Sequence, residues 1–129
     1  MFRWTLRKIK VRRNKSKKLL QKLEFLKHHE SARAIVYSRL AHFNLHYKFI
    51  YKVVRIKSQA SRWGSCSSIG NLNFNYKIAF LPSYLADYII VHELCHIGEF
   101  NHSRNFWNLV SETIPDYKRC RIALKSWRK

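Results

Sequence analysis

Three histidines and one glutamate stand close together in the chain: His92-Glu93-Leu94-Cys95-His96, with His102 six residues further on. At 3.6 residues per turn, His92 and His96 lie one above the other on a helix face, and Glu93 projects beside them. A zinc hydrolase needs two neutral imidazoles at fixed separation, a third ligand from elsewhere, and a carboxylate that takes a proton from the activated water without ligating. The pentapeptide HExxH meets the first and last needs. With 7 His in 129 residues, composition alone would produce it in roughly one such chain in 70, and with the third His in roughly one in a thousand. Chance is a poor explanation for it.

The third ligand is sought among His102, Glu99, Glu112 and Asp116. The step from His96 through a turn containing Gly98 returns the chain to the metal, as in three-histidine zinc enzymes, and favours His102. In the pattern HExxHxxGxxH, glycine falls where this chain has Glu99, so the turn differs in detail. If the histidines were ordinary residues of an amphipathic helix, two imidazoles and a carboxylate would be buried on one stripe with no cation to satisfy them, which is costly. Cys95 reads as core, because ligation through it would displace the i, i+4 pair.

The elements that must position these groups can be read on either side. A helix opens at Pro82-Ser83, with Pro at its entry and Ser as N-cap, turns Leu85 and Ile89 to the core, and ends near Gly98 in a left-handed cap. Before it, Phe49 to Lys57 reads as a strand with one solvated face. Asn71 to Tyr76 reads as a second, with Leu72, Phe74 and Tyr76 on one side and Asn71, Asn73 and Asn75 on the other. SRWGSCSSIG between them is a turn-rich connector, in which Gly64 and Gly70 permit unusual backbone angles. After the site, Ser103 to Ile114 is helical, Pro115 stops it, and Asp116 caps a last helix over Tyr117 to Trp127.

Towards the N-terminus, Leu19, Leu20, Leu23, Leu26, Ala34, Ile35, Leu40 and Phe43 recur at helical steps from Ser16 to about Asn44, with a break near His28-His29. Those two histidines point about 100° apart and read as surface residues. His42 and His46 have i, i+4 spacing, but no Glu follows His42. Residues 1–15 alternate apolar and basic positions, as an edge strand or a flexible basic arm would.

A chain of this length forms one domain, and a hydrophobic fraction of 47% with 15% aromatics is enough for a core. The net charge of +19, from 26 Lys and Arg against 7 Asp and Glu, implies polyanionic company, with nucleic acid the default; a generally basic proteome with an acidic partner is the competing explanation. Three cysteines without CxxC spacing and without a signal peptide argue against a disulfide framework and for a cytoplasmic protein. No apolar run reaches the length of a membrane span, so no membrane partner is expected.

The segments RWGSCSSIGNLNFN, LPSYLADYIIVHELCHIGEFNHSRNFW and PDYK resemble the YgjP-like zinc metallopeptidase family and, more distantly, the SprT-like proteases, from about Ala32 to the end. The resemblance implies an α+β, minimal zincin-like domain: a short twisted β-sheet packed against the HExxH helix, with further helices at both ends. It divides the chain into a basic N-terminal arm or helix start over 1–30 and the metallopeptidase domain over 31–129. Zn2+ would sit on His92, His96 and His102, with Glu93 as general base. Arg62 and Trp63 would lie near the cleft, where Arg62 is a candidate for binding a substrate carbonyl or anion. Asn73 and Asn75, by strand alternation, either line the same edge or face solvent.

Three functions follow. The first is a peptidase acting on peptide or protein, working near nucleic acid as SprT-like enzymes do. The second is a zinc-dependent nucleotide (triphosphate) pyrophosphatase whose basic cleft holds the phosphates. The third is a nucleic-acid-binding module with structural zinc. Arg62, Tyr76 and Tyr84 are the candidates for stabilising an oxyanion.

Overall fold

The computed structural model describes residues 2–127, with side chains from Asn14 onward. A 46-residue helix, α1 (Phe2–Tyr47), opens the chain. No Gly or Pro precedes Gly64, so nothing interrupts its hydrogen-bond ladder. The strand or flexible arm expected over residues 1–15 is therefore helix from Phe2, the expected break at His28-His29 is absent, and the boundary drawn after residue 30 falls inside α1. The two histidines are half-buried rather than on the surface: His28 meets the Phe80 ring edge-on at 4.7 Å and His29 meets Phe25 at 5.2 Å.

The core-facing stripe of α1 is Ala32, Val36, Leu40 and Phe43, whereas Leu19, Leu20, Leu23 and Leu26 are exposed. Residues 14–24 are exposed throughout. The helix ends where Lys48 adopts φ +57 and the Asn44 amide clasps Phe49, donating to its carbonyl and accepting from its N–H, both at 2.9 Å.

Three short strands follow, β1 (Val54–Lys57), β2 (Gly64–Cys66) and β3 (Leu72–Asn75), in the order β1-β3-β2. The central β3 runs parallel to β1 and antiparallel to β2. Only the last four residues of the expected strand Phe49–Lys57 are strand, and the connector expected to be all turn contains β2. Gly70, at φ +90, supplies the left-handed residue that closes the β2–β3 hairpin. Leu72, Phe74 and Tyr76 are buried as their alternation implies, and a 3-10 turn over Tyr76–Phe80 leads on.

The centre of the domain is α2 (Ser83–Cys95). Leu85, Ala86, Tyr88, Ile89, Ile90, Val91, Leu94 and Cys95 are all buried, as befits a helix covered on every side. Arg39 holds it to α1 through a bidentate pair with Asp87, at 2.8 and 3.0 Å. Pro82 occupies the cap position and makes no side-chain bond; Ser83 is the first helical residue rather than the cap. At the other end His96 is the C-cap, in right-handed geometry, and Gly98 is not left-handed. Glycine is needed at 98 for space, because a Cβ there would come within 2.6 Å of Phe49 Cζ.

Two helices complete the fold, α3 (Arg104–Thr113) and α4 (Tyr117–Lys125). Ser103 caps α3 by accepting from Phe106 N–H at 3.4 Å, while Asp116 stands at the cap position of α4 without a side-chain bond. No helix among the described residues is long and apolar enough to cross a membrane.

Candidate active site

The last turn of α2 presents His92 and Glu93, and its C-cap presents His96. Bonds from Gly98 N and Glu99 N to the Cys95 carbonyl, at 3.1 and 3.0 Å, tighten the turn that brings His102 back. The Nε2 atom of His92 lies 3.3 Å from that of His96 and 3.2 Å from that of His102, and the ligand nitrogens of all three lie within 4.8 Å of one another. Zinc–nitrogen bonds of 2.0–2.1 Å in a tetrahedron place neighbouring nitrogens about 3.3 Å apart. A shared proton could bridge one such pair, but three converging imidazole nitrogens call for a cation, so the residues present fit the metal that HExxH implies.

The other ring nitrogens are tied down. His96 Nδ1 donates to the Glu99 carbonyl at 3.2 Å, and His92 Nδ1 shares a hydrogen bond with the Tyr88 hydroxyl at 3.3 Å. The carbonyl can only accept, so it holds His96 in the tautomer that leaves Nε2 free to ligate, while the Tyr88 hydroxyl fixes the ring orientation of His92. Phe106 stacks on His96 at 4.4 Å, and Trp107 stacks on His102 at 5.9 Å. Burial pushes protonation of His92 down to about 3, with His96, His102 and Arg121 adding to the effect, and burial also lowers His96. His92 is thus neutral, the form a metal takes, across the physiological range.

Glu93 is buried, and its Oε1 lies 3.8 Å from His92 Nε2. Burial pushes its carboxyl up to about 8, and the positive charge of Arg62 works the other way. Gly64 of β2 packs directly over it: a Cβ at 64 would lie 3.0 Å from both Glu93 Cγ and the Asn73 carbonyl oxygen. Gly64 therefore acts through its missing side chain.

Arg62 and Trp63 line a groove of about 250 Å³ with His92 and Glu93, as expected of cleft residues. A second hollow of about 330 Å³, lined by Gly64, Ser65, Cys66 and Phe100, opens on the same histidines and Glu93. Neither asparagine is among the lining residues. Asn73 donates to Ser65 Oγ at 3.3 Å. Asn75 is fully buried, so it neither faces solvent nor reaches the cleft edge. Its Nδ2 donates to the carbonyls of Gln59 and Arg62 at 2.8 and 2.9 Å, and its Oδ1 accepts from Lys77 N–H at 3.1 Å. It fastens the loop that carries Arg62. A hollow of about 490 Å³ beside Phe49, Glu99, Asn108 and Glu112 contains none of the three histidines and not Glu93.

Of the other candidate third ligands, Glu99 contributes its carbonyl to His96, Glu112 lies 3.9 Å from His46, and Asp116 begins α4. Tyr88, Phe106 and Trp107 are the site residues that motif spacing did not single out. Tyr88 had a signal, since it precedes His92 by the same four residues that separate His92 from His96. The packing of Phe106 and Trp107 on the imidazoles depends on where α3 docks.

Fold and site together define a metallopeptidase domain. The chain belongs to the YgjP-like family, whose metallopeptidase domain matches residues 2–127. It is similar to the metallopeptidase zymogen of Pyrococcus abyssi abylysin, with 26% identity, a TM-score of 0.64, and coverage of 73% of this chain and 97% of that one. Its fold is also shared by the metallopeptidase zymogen of Methanocaldococcus jannaschii jannalysin, with 24% identity, a TM-score of 0.53, and coverage of 73% and 95%. No curated protein matches it.

Proposed function

We propose that this chain is a zinc-dependent peptidase with His92, His96 and His102 as ligands and Glu93 as general base. The observation that carries the reading is the approach of three imidazole nitrogens at tetrahedral spacing beside a buried carboxylate. Zinc, when bound, supplies Lewis acidity toward water and toward a peptide carbonyl. Glu93, the one carboxylate lining either hollow at the site, takes the proton of the attacking water and returns it to the leaving amine. Arg62 favours the ionised form of Glu93 and offers a cation to the substrate. Strand β2 pairs with β3 on one edge, and its other edge offers backbone groups to an extended peptide.

The metal-ligating group among the described residues holds three histidines and no fourth ligand. That count favours a catalytic over a structural site. The net charge of +19, with Lys15, Lys17, Lys18 and Lys22 exposed on α1, supports work near nucleic acid, which a steep salt dependence of DNA binding would test.

The decisive experiment gives zinc-loaded wild type and Glu93→Gln an unfolded-protein panel and a nucleoside triphosphate panel. Wild type should cleave protein, and Glu93→Gln should lose roughly a thousandfold in rate with its zinc content unchanged. Undiminished proteolysis by Glu93→Gln would remove Glu93 from the mechanism. Release of pyrophosphate and nucleoside monophosphate without proteolysis would replace the peptidase by the pyrophosphatase.

A further inference from the structure

We propose that α4 builds a carboxylate-recognition subsite beside the metal centre, so that the favoured substrate carries a carboxylate close to the scissile bond. The carboxylate would be an acidic side chain or the substrate's own C-terminus. The inference rests on the peptidase reading and names the substrate class for the same cleft.

The groove that holds His92 and Glu93 continues into a hollow of about 260 Å³ lined by Trp63, Tyr88, Arg121, Leu124, Lys125 and Trp127. Trp63, Tyr88 and Leu124 line both parts, so the two form one channel leading away from the metal centre. Its walls are aromatic and aliphatic. The charges lining the extension are positive, Arg121 and Lys125 standing one helical turn apart on α4, and at the near end the groove holds both Arg62 and Glu93.

Among the described residues, the one Lys or Arg in a salt bridge is Arg39, with Asp87, so neither Arg121 nor Lys125 is held by a carboxylate, while the charge of Arg62 acts on Glu93. Arg121 is anchored by stacking, its Cζ lying 4.5 Å from the Trp107 ring centroid, and Trp107 in turn stacks on His102. A guanidinium held by its face presents its N–H edge as a fork that fits a carboxylate bidentately. Arg121 and Lys125 are both exposed at the hollow, so a carboxylate reaches them directly from solvent. A volume of about 260 Å³ holds a single side chain or chain end, whereas a nucleic-acid duplex would need an extended basic face.

The test uses zinc-loaded, full-length Glu93→Gln, which keeps the channel but does not turn over substrate, and measures peptide binding by calorimetry. One peptide set is C-terminally amidated and differs at one central position, Glu, Gln or Lys; a further peptide has Gln there and a free C-terminus. At least one carboxylate-bearing peptide should bind about tenfold tighter than the amidated Gln peptide, and which one does so identifies the source of the carboxylate. Adding Arg121→Gln and Lys125→Gln should abolish the preference. Adding Lys17→Gln and Lys18→Gln, which removes the same charge from α1, should leave it intact.

Equal binding of all peptides, binding of none at millimolar concentration, or loss of the preference in the α1 control would overturn the subsite. The peptidase reading fails separately, through wild type that binds peptides but cleaves none. Cleavage with no preference for carboxylates would sink the subsite alone.

Discussion

Glu93→Gln should stabilise the metal-free protein even as it disables the loaded one, and by an amount that depends on pH. Burial lifts the Glu93 carboxyl from 4.5 to about 8. Between those values the unfolded chain is ionised while the folded chain keeps the proton, so folding takes up a proton. Stability present in full below pH 4.5 is therefore lost as pH rises towards 8, at about 1.36 kcal/mol per pH unit. The loss is about 2 kcal/mol at pH 6 and about 4 kcal/mol at pH 7.5. Gln does not titrate, so its advantage over wild type should grow by about 2 kcal/mol between those two pH values. Any change in packing or hydrogen bonding caused by the amide adds the same amount at both. His92, depressed to about 3, is neutral in the folded state of both proteins throughout this window and cancels from the difference. Urea unfolding with a chelator present, followed by tryptophan fluorescence, measures the two stabilities at each pH. A difference that does not change with pH would refute the account of Glu93 as a carboxyl strained by burial. Adding zinc should erase the advantage, because a cation beside the carboxyl favours its ionised form.

Three further substitutions probe the scaffold around the metal. Tyr88→Phe removes the hydroxyl that orients His92 and should weaken zinc binding about tenfold in competition with a chromophoric chelator; unchanged affinity would leave Tyr88 as core packing only. Gly64→Ala puts a methyl group against Glu93 Cγ and the Asn73 carbonyl, and the displaced base should lower kcat about a hundredfold while zinc stays bound. Asn75→Ala strands the Gln59 and Arg62 carbonyls and the Lys77 N–H. It should destabilise the fold by about 3 kcal/mol in urea unfolding, and wild-type stability would show that water replaces all three bonds.

The cluster of three histidines was legible because it is local. His92, Glu93 and His96 fall within little more than one turn of α2, and His102 needs only a short turn to join them. Helix α1 was legible as helix for the same reason, since the absence of Gly and Pro acts residue by residue. Which face α1 buries was not legible. Leu19, Leu20, Leu23 and Leu26 have the spacing of a core stripe, but burial depends on what packs against the helix, and the stripe that meets the core is Ala32, Val36, Leu40 and Phe43. Strand β2 was hidden because Gly-Ser-Cys has little strand preference of its own, and its extended form comes from pairing with β3.

Glycine and asparagine show the same limit at the site. Gly64 and Gly98 suggest turns to anyone reading along the chain, yet both serve to let distant side chains approach, Glu93 in one case and Phe49 in the other. Asn75 shares its strand side with Asn73 by alternation, but it is drawn inward by the carbonyls of Gln59 and Arg62, which lie on another segment. The consequence is a division of labour. Groups that act on the scissile bond sit on one helix and the turn that follows it. Groups placed to select what reaches that bond come from a loop fastened by Asn75, from Tyr88, and from Arg121 and Lys125 on α4. The second set falls in three separate segments that no single motif spans, because the docking of α4 on α2 brings them together. Family resemblance can therefore carry the chemistry of this site, while its selectivity has to be read from the channel walls and tested there.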